Sequence, residues 1–145
     1  MWLRRLRQSL KKAERKAYPG SPVESELKFD YVRLSNGKIA SFFTLQIENQ
    51  ELVFKEINGL PTAKVEFFGH IISIDKKTDG IFEDEIIFSV NAPDLNSIVR
   101  TDRHSYIKGI MLPPGVYKIK IFIRDSTNGK LGVKLLGFTI PNFQN

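Results

Sequence analysis

Residues 112–132 read LPPGVYKIKIFIRDSTNGKLG, and this stretch predicts a β-hairpin whose first strand is entered through a rigid corner. Pro113 and Pro114 hold φ near −65° and have no N–H, so they mark the edge of a strand and cannot lie inside a ladder. Gly115 permits a backbone reversal that a β-carbon would resist. The hairpin then continues through Val116, Ile119, Ile121 and Ile123 to a turn at Asp125-Ser126-Thr127-Asn128-Gly129. Such an element is scaffold and carries no chemistry of its own.

Tyr117 follows this corner near the start of a late strand. At that position a tyrosine can bury its ring and return its hydroxyl to the backbone, which is the tyrosine corner of β-sandwich folds. The alternative is that Tyr117 is an ordinary strand aromatic. Neither interpretation makes it catalytic.

Length and composition indicate one globular domain. The chain has 145 residues, of which 41% are hydrophobic and 26% charged, values typical of soluble domains. There is no cysteine, which excludes a disulfide framework, a thiolate nucleophile and cysteine-type zinc sites. No apolar stretch approaches the roughly 18 residues of a membrane span, and no signal-peptide pattern is present. The compartment stays unassigned; a cell-envelope or secreted location is expected only if the chain is part of a longer protein of the family that it resembles below, in which Met1 would be an internal start.

The positive net charge of the chain is concentrated at its beginning. Residues 1–17 carry seven basic residues and one acidic residue, whereas residues 18–145 carry 15 of each, so the whole net charge of +6 belongs to the first 17 residues. The rest of the chain is balanced and shows no basic face that would indicate phosphate-backbone recognition. Nucleic acid is therefore a disfavoured partner.

The pattern of residues 1–17 predicts an amphipathic basic helix. Apolar residues recur at intervals of three and four, at Trp2, Leu3, Leu6, Leu10, Ala13 and Ala17. The basic face comprises Arg4, Arg5, Arg7, Lys11 and Lys12. The apolar stripe can pack on the rest of the domain or on another domain or subunit. The alternatives are an anionic membrane surface, nucleic acid or disorder.

After this segment the period changes from helical to alternating. Residues 18–25 contain Pro19 and Pro22 and are interpreted as a stiff linker, and residues 26–145 as an immunoglobulin-like antiparallel β-sandwich of about eight strands. Asn36-Gly37 predicts a two-residue hairpin turn, and Gly80 is placed in a turn that ends a later strand. The expected core consists of Phe29, Phe43, Leu45, Val65, Phe67, Ile121 and Ile123.

A set of short turn motifs also resembles a known family. The motifs are Asn36-Gly37-Lys38, then Gly69, Ile71, Asp75 and Gly80, then Tyr106, Leu112-Pro113-Pro114-Gly115 and Tyr117, and finally Arg124-Asp125, Gly129, Gly132 and Pro141. Over residues 20–143 they resemble the C-terminal β-sandwich region of bacterial von Willebrand factor A-related proteins, known mainly from Acidobacteria. The closing hairpin is also similar to GWxTD-type modules. The chain has no von Willebrand factor A domain and no Asp-x-Ser-x-Ser metal-ion-dependent adhesion motif, so the resemblance implies the scaffold only.

The usual catalytic patterns are missing from the sequence. His70 and His104 lack the HxH or HExxH spacing of a metal site, and the acidic triplet Glu83-Asp84-Glu85 is typical of a solvated strand face. There is no nucleophile elbow and no phosphate-binding glycine loop. We therefore expect no catalytic residue, metal or cofactor, and no small-molecule substrate is identified. The sequence predicts a non-enzymatic module that contacts another protein domain or subunit, with peripheral membrane or nucleic-acid binding through residues 2–17 as the alternative.

Overall fold

The computed structural model describes residues 22–76 and 79–143, which form two antiparallel sheets around a shared core. The three-stranded sheet has the order β1 (Glu26–Arg33), β2 (Ile39–Glu48) and β6 (Arg103–Met111). The five-stranded sheet contains β3 (Lys55–Ile57), β4 (Leu60–Ser73), β5 (Asp79–Ser89), β7 (Gly115–Asp125) and β8 (Leu131–Ile140). The predicted all-β class is thus confirmed for the described residues. The predicted helix over residues 1–17 lies outside them and stays a prediction.

β4 is the centre of the larger sheet. Its residues pair with β5 along one side and with β7 along the other, and β8 follows β7 at the edge. The short β3 pairs with the first three residues of β4. Two 3-10 turns, Asn49–Glu51 and Leu95–Ser97, connect strands at one end of the sandwich. Pro113 and Pro114 lie at the opposite end.

The core lies between the two sheets because alternate residues of each strand point to one face. Six of the seven predicted core residues are buried, and Phe67, Val65, Ile121 and Ile123 are fully excluded from solvent. Phe29 is the exception. It lies on the edge strand β1, where it is half-buried and packs on Phe138 at a ring-centroid distance of 4.6 Å.

Two residues of the predicted hairpins, Val116 and Gly80, differ from the sequence prediction. Val116 faces outward and is exposed, because Tyr117 takes the inward position with Ile119, Ile121 and Ile123. Gly80 is not a turn residue but pairs with Ile71 inside β5. The reversal before it begins at Ser73, where the N–H of Lys76 bonds to the Ser73 carbonyl and Lys76 adopts a positive φ.

Asn36-Gly37 does not form the predicted two-residue turn. Leu34 and Lys38 are bonded across the hairpin and the Gly37 N–H donates to the Leu34 carbonyl, so the loop has three residues with Gly37 at φ 84°. This is a turn followed by a left-handed residue. The two-residue loop is formed at Asn58-Gly59, where Ile57 pairs with Leu60 and both loop residues have positive φ.

The predicted linker, residues 18–25, is partly integrated into the sandwich. Val23 is buried in the main core, and its N–H donates a 2.9 Å hydrogen bond to the Leu131 carbonyl. A β-carbon at Gly132 would lie 2.1 Å from the Val23 carbonyl oxygen, so only glycine fits under this segment. The folded unit therefore starts before β1.

Candidate functional site

The corner predicted around Tyr117 forms one end of the sandwich. The Tyr117 hydroxyl donates a 2.6 Å hydrogen bond to the Pro113 carbonyl, and its buried ring stacks on Phe138 at 5.4 Å. Gly115, which lies between Pro113 and Tyr117 in the sequence, has a φ of 157°, a conformation that residues with a side chain rarely adopt. This geometry is that of a tyrosine corner, which orders the entry to β7 and offers no reactive group.

The same end of the molecule brings together two turns that are far apart in the sequence. Gly37 and Lys38 from the β1–β2 hairpin lie beside Pro113 and Pro114, and Phe143 completes a shallow, mainly apolar depression of about 410 Å³. Asn36 is held next to it by its own side chain, which accepts a hydrogen bond from the Lys38 N–H. The depression has few polar groups with which to orient a ligand.

A second depression lies at the opposite end, and we take it as the candidate site. It has a volume of about 420 Å³ and combines four polar with four apolar side chains: Asn49, Gln50, Asn96 and Arg100, with Leu52, Phe54, Leu95 and Ile98. Binding sites typically join apolar surface to a few placed polar groups. Loops at the end of a rigid sandwich are also where such folds usually bind. We refer to these eight residues as the loop groove.

Hydrogen bonds hold the two walls of the loop groove in place. The Asn49 amide Nδ2 donates to the Val99 carbonyl at 2.9 Å, and the backbone N–H groups of Asn49 and Gln50 donate to the carbonyls of Asp102 and Arg100. On the other wall the Asp94 carboxylate caps the 3-10 turn by accepting from the Ser97 N–H at 3.0 Å. The loop groove is therefore preformed in the absence of a ligand.

Two polar groups of the loop groove lack a partner among the described residues. Arg100 is exposed, and no acidic side chain in the described ranges lies within ion-pair distance of it. Its neighbour Arg103 differs, because it pairs with Glu26 at 3.6 Å and Glu48 at 3.7 Å. Asn49 is 3% exposed, and its Oδ1 finds no hydrogen-bond donor among the described residues.

His104 lies behind the groove and is uncharged at neutral pH. Its ring stacks on Phe88 at 4.7 Å and lies 6.3 Å from Phe54, a groove residue. Burial lowers the pKa of the His104 imidazole, and the nearby Asp102 carboxylate opposes that shift only in part. The buried Nε2 has no described partner. His104 is thus a packed aromatic and not a free base.

The open side of the sandwich is closed by a polar bridge between the sheets. The Tyr106 hydroxyl on β6 donates a hydrogen bond to the Asp84 carboxylate on β5, and the Lys108 ammonium lies 3.3 Å from the same carboxylate. Burial, followed by this hydrogen bond, raises the pKa of the Tyr106 phenol. The phenol therefore stays protonated, and the bridge joins the sheets without presenting a nucleophile. Glu83 and Glu85 flank it as exposed residues.

The remaining predicted turn residues are structural. Asp125 is the last residue of β7 and is fully buried; its carboxylate accepts hydrogen bonds from the N–H groups of Val53 at 2.7 Å and Thr127 at 2.9 Å. Gly129 adopts φ 73° and donates to the Asp125 carbonyl. Asp125 therefore stabilises the turn and ties it to the segment that precedes β3.

The part of the chain that the structure describes contains neither a metal-binding cluster nor a membrane-spanning helix. Within residues 22–76 and 79–143 no three His, Asp or Glu side chains are grouped so that they could hold a metal ion. No helix there is long and apolar enough to cross a membrane. The predicted interaction residues Trp2, Leu3, Arg4, Arg5, Leu6, Arg7, Leu10, Lys11 and Lys12 fall outside these ranges.

Sequence reasoning missed the loop groove. Asp94 and Ser97 have the spacing of a capped turn, a local signal that could have located one wall. Asn49 and Arg100 carry no such signal, because they are 51 positions apart and meet only when β2 pairs with β6.

Comparison with known proteins does not assign the chain to a family. No protein-family model matches it, and no curated protein matches it significantly. A β-glucuronidase from Bacteroides uniformis aligns with 78% of this chain but only 12% of its own, at 10% identity and TM-score 0.49. A Northeast Structural Genomics Consortium target aligns over 88% of this chain and 94% of its own, at 17% identity and TM-score 0.48. A Bordetella pertussis protein assigned as ApaA aligns over 88% of this chain and all of its own, at 12% identity and TM-score 0.42. Similarities at this level carry no functional assignment, and the von Willebrand factor A-related resemblance stays a prediction.

Proposed function

We propose that this chain is a non-catalytic, immunoglobulin-like β-sandwich module that binds an extended segment of another protein domain or subunit in the loop groove. The scaffold supports the immunoglobulin-like part of this proposal. The first, second and sixth strands form one sheet and the fourth, seventh and eighth belong to the other, with a corner tyrosine opening the seventh. A von Willebrand factor A-related origin would supply the same scaffold.

The observation that carries the binding proposal is the composition of the loop groove. Leu95 and Phe54 offer apolar contact, Asn96 and Gln50 offer donors and acceptors, and Arg100 supplies a cation without a described counter-charge. An arginine with its five donors is suited to a carboxylate. The favoured ligand is therefore a peptide segment with an acidic side chain beside an apolar one.

The polar groups at the loop groove favour a binding role over an enzymatic one, since among residues 22–76 and 79–143 no activated acid, base or nucleophile faces it. His104, which lies near the groove residue Phe54, is packed between aromatic rings. The most perturbed tyrosine is held protonated between the sheets. A catalytic role would need an activated acid, base or nucleophile within reach of the groove.

The proposal can be tested with a displayed library of random ten-residue peptides selected on the immobilised full chain. We expect enrichment of peptides that combine acidic and apolar residues, and we expect Arg100→Glu to weaken the selected peptides at least tenfold. Lys118→Glu is the matched control, because Lys118 is an exposed cation on β7, away from the groove. Failure to enrich any sequence, or equal losses in both variants, would contradict binding in the loop groove.

A further inference from the structure

One side of β8 has no neighbouring strand in the described part of the chain, because β8 is the last strand in the order of the five-stranded sheet. The carbonyl of Lys130, the residue before β8, accepts a 2.9 Å hydrogen bond from the Asp125 N–H of β7. Backbone groups alternate between the two sides of an antiparallel strand. The even-numbered residues of β8 therefore face β7, and the odd-numbered residues direct their N–H and C=O groups to the open side.

Most of this open side is free of backbone partners. Its first position is taken, because the Leu131 carbonyl accepts a 2.9 Å hydrogen bond from the Val23 N–H. The next four odd-numbered residues form no backbone hydrogen bond on this side with residues 22–76 or 79–143: Val133, Leu135, Gly137 and Thr139. Pro141 follows and has no N–H to offer. Residues 133–139, which we call the β8 window, thus present four N–H and four C=O groups in a row.

The β8 window differs in charge from the other long edges of the sandwich. Charged side chains on an edge strand discourage pairing with another chain. The edge strands β1, β5 and β6 all expose such residues, including Lys28, Asp30 and Arg33 on β1, Glu83 and Glu85 on β5, and Arg103 on β6. The window contains one charged residue, Lys134, which pairs with Ile121 on the core side and lies 3.9 Å from the Glu24 carboxylate. Among the long edge strands that the structure describes, β8 is therefore the least protected against strand addition.

The side chains beside the window alternate in size. Val133 and Leu135 are 47% and 66% exposed on the outer face of the sheet, whereas Gly137, the next residue of this row, has no side chain. A projecting leucine followed by a gap fits a second copy of the same row that runs in the opposite direction. A foreign peptide strand would instead take its specificity from pockets beside the edge. Neither the loop groove nor the depression beside the prolines includes a β8 residue.

Antiparallel pairing of two copies about Leu136 uses every open backbone group of the window. In this register Val133 lies opposite Thr139 of the second copy, and Leu135 lies opposite Gly137 of the second copy. All of these residues have their N–H and C=O groups on the open side, so each can donate one hydrogen bond and accept one across the interface.

Two constraints favour this register over its neighbours. Moving the centre by one residue would oppose the window to Leu131, whose carbonyl is bonded to Val23, or to Pro141, which lacks an N–H. With the centre at residue 136, Lys134 lies opposite Phe138 of the second copy. Like charges, which destabilise cross-strand pairs, are then not opposed.

We propose that the β8 window is a homodimer interface, in which two copies of the chain pair antiparallel about Leu136 and join their five-stranded sheets into one continuous sheet. The occupant is a second copy because the window is complementary to itself in hydrogen-bonding groups, in side-chain size and in charge. Such a two-fold interface is isologous, with the same residues contributed by both copies. The inference is independent of the loop groove, which lies at an end of the sandwich.

Sedimentation of the full chain at increasing concentration tests the association. Two paired windows bury a small area, so we expect a weak interface of less than about 1,200 Å² and a dissociation constant below about 1 mM. Leu135→Lys should raise this constant at least tenfold, because the two added charges lie diagonally across the interface. Ile87→Lys is the matched control and should change it less than twofold, since Ile87 is 57% exposed on β5, at the other edge of the same sheet. A chain that stays monomeric up to about 1 mM would overturn the proposal.

Disulfide trapping tests the register, because the chain has no cysteine of its own. Chains carrying Leu135→Cys are mixed with chains carrying Gly137→Cys, whose Cα atoms would be about 5.5 Å apart across the interface, within disulfide range. Leu135→Cys mixed with Val133→Cys is the control, since those positions would be about 14 Å apart. We expect the mixed disulfide to form at least five times faster in the first mixture. Equal rates in the two mixtures would contradict pairing about Leu136.

Hydrogen exchange of the window amides distinguishes the other possible occupants. We expect the amides of Val133, Leu135, Gly137 and Thr139 to become protected as concentration rises, in step with dimer formation. Full protection in the monomer would mean that another part of the same chain covers the window. Dimers that persist unchanged in Leu135→Lys would mean that a different surface joins the copies. Both of these outcomes overturn the proposal.

Discussion

Phe67 and Phe68 are adjacent residues of the same type on β4, and they have opposite surroundings. Phe67 is fully buried between the sheets and stacks on Tyr106 at a centroid distance of 4.0 Å. Phe68 points to the outer face and belongs to the separate cluster with Phe122. The opposing sheet covers Phe67, whereas Phe68 is buried among side chains of the outer face, with Phe122 and Ile81. The two adjacent residues therefore belong to separate hydrophobic clusters on opposite faces of one strand.

The largest effect is expected at the inner member of this pair. Truncating Phe67→Ala removes a fully enclosed ring, and the tightly packed inner face cannot close the cavity, so unfolding free energy should fall by about 3–5 kcal/mol. Phe68→Ala should cost less, on the order of 1–3 kcal/mol, because outer-face side chains can relax into the space. Urea denaturation of both variants measures the difference. Equal losses would show that the outer cluster is as enclosed as the core.

Substitution of Gly115 tests whether glycine is required at the corner where the chain enters β7. Gly115→Val forces a β-branched residue to φ 157° just before Tyr117 turns inward, which should cost about 1–3 kcal/mol. Gly137→Val is the control, since Gly137 lies in β8 and its nearest neighbour to an added β-carbon is 3.9 Å away. A loss no larger than that of the control would remove the argument that glycine is required at the corner.

Removing the Tyr117 hydroxyl measures how much its hydrogen bond contributes to the stability of the same corner. Tyr117→Phe keeps the inner-face ring and removes the bond to the Pro113 carbonyl, so we expect a loss of about 0.5–1.5 kcal/mol. Tyr31→Phe, on the exposed part of β1, should change the unfolding free energy by less than about 0.5 kcal/mol. Denaturant midpoints that are the same for the two variants would show that the hydroxyl is not used.

His104 is expected to give the smallest effect, visible as a pH dependence. Its pKa in the folded chain is below the ordinary value of 6.5, chiefly through burial. As the pH falls, His104 therefore binds a proton in the unfolded chain before it does so in the folded chain. The contribution of neutral His104 to the free energy of unfolding is fully present above about pH 6.5 and decreases below it. His104→Phe keeps stacking on Phe88 and should flatten this part of the stability profile between about pH 5 and 7. A wild-type slope unchanged in the variant would contradict the assignment.

The two Asn-Gly dipeptides show how far local patterns predict this fold. Both favour tight hairpins, and sequence reasoning placed the two-residue loop at Asn36-Gly37. That hairpin instead has a three-residue loop, and the two-residue loop is at Asn58-Gly59. The difference arises because the pairing register of β1 with β2 is set along the whole ladder, which brings Leu34 opposite Lys38. A dipeptide specifies that a turn occurs, and the flanking strands specify its length.

The alternation of apolar and polar residues in the sequence was sufficient to predict the all-β class, most strand positions and six of the seven core residues. It was sufficient because the two-residue period of a strand is a local property of the backbone. The Pro-Pro-Gly preface likewise determined the position of the corner. Only the tertiary structure decided that Phe68 and Phe122 form a second cluster, that Val23 is part of the core, and that Asn49 and Arg100 line one groove. These features depend on contacts between segments far apart in the sequence, and no local periodicity records which segment will cover which face.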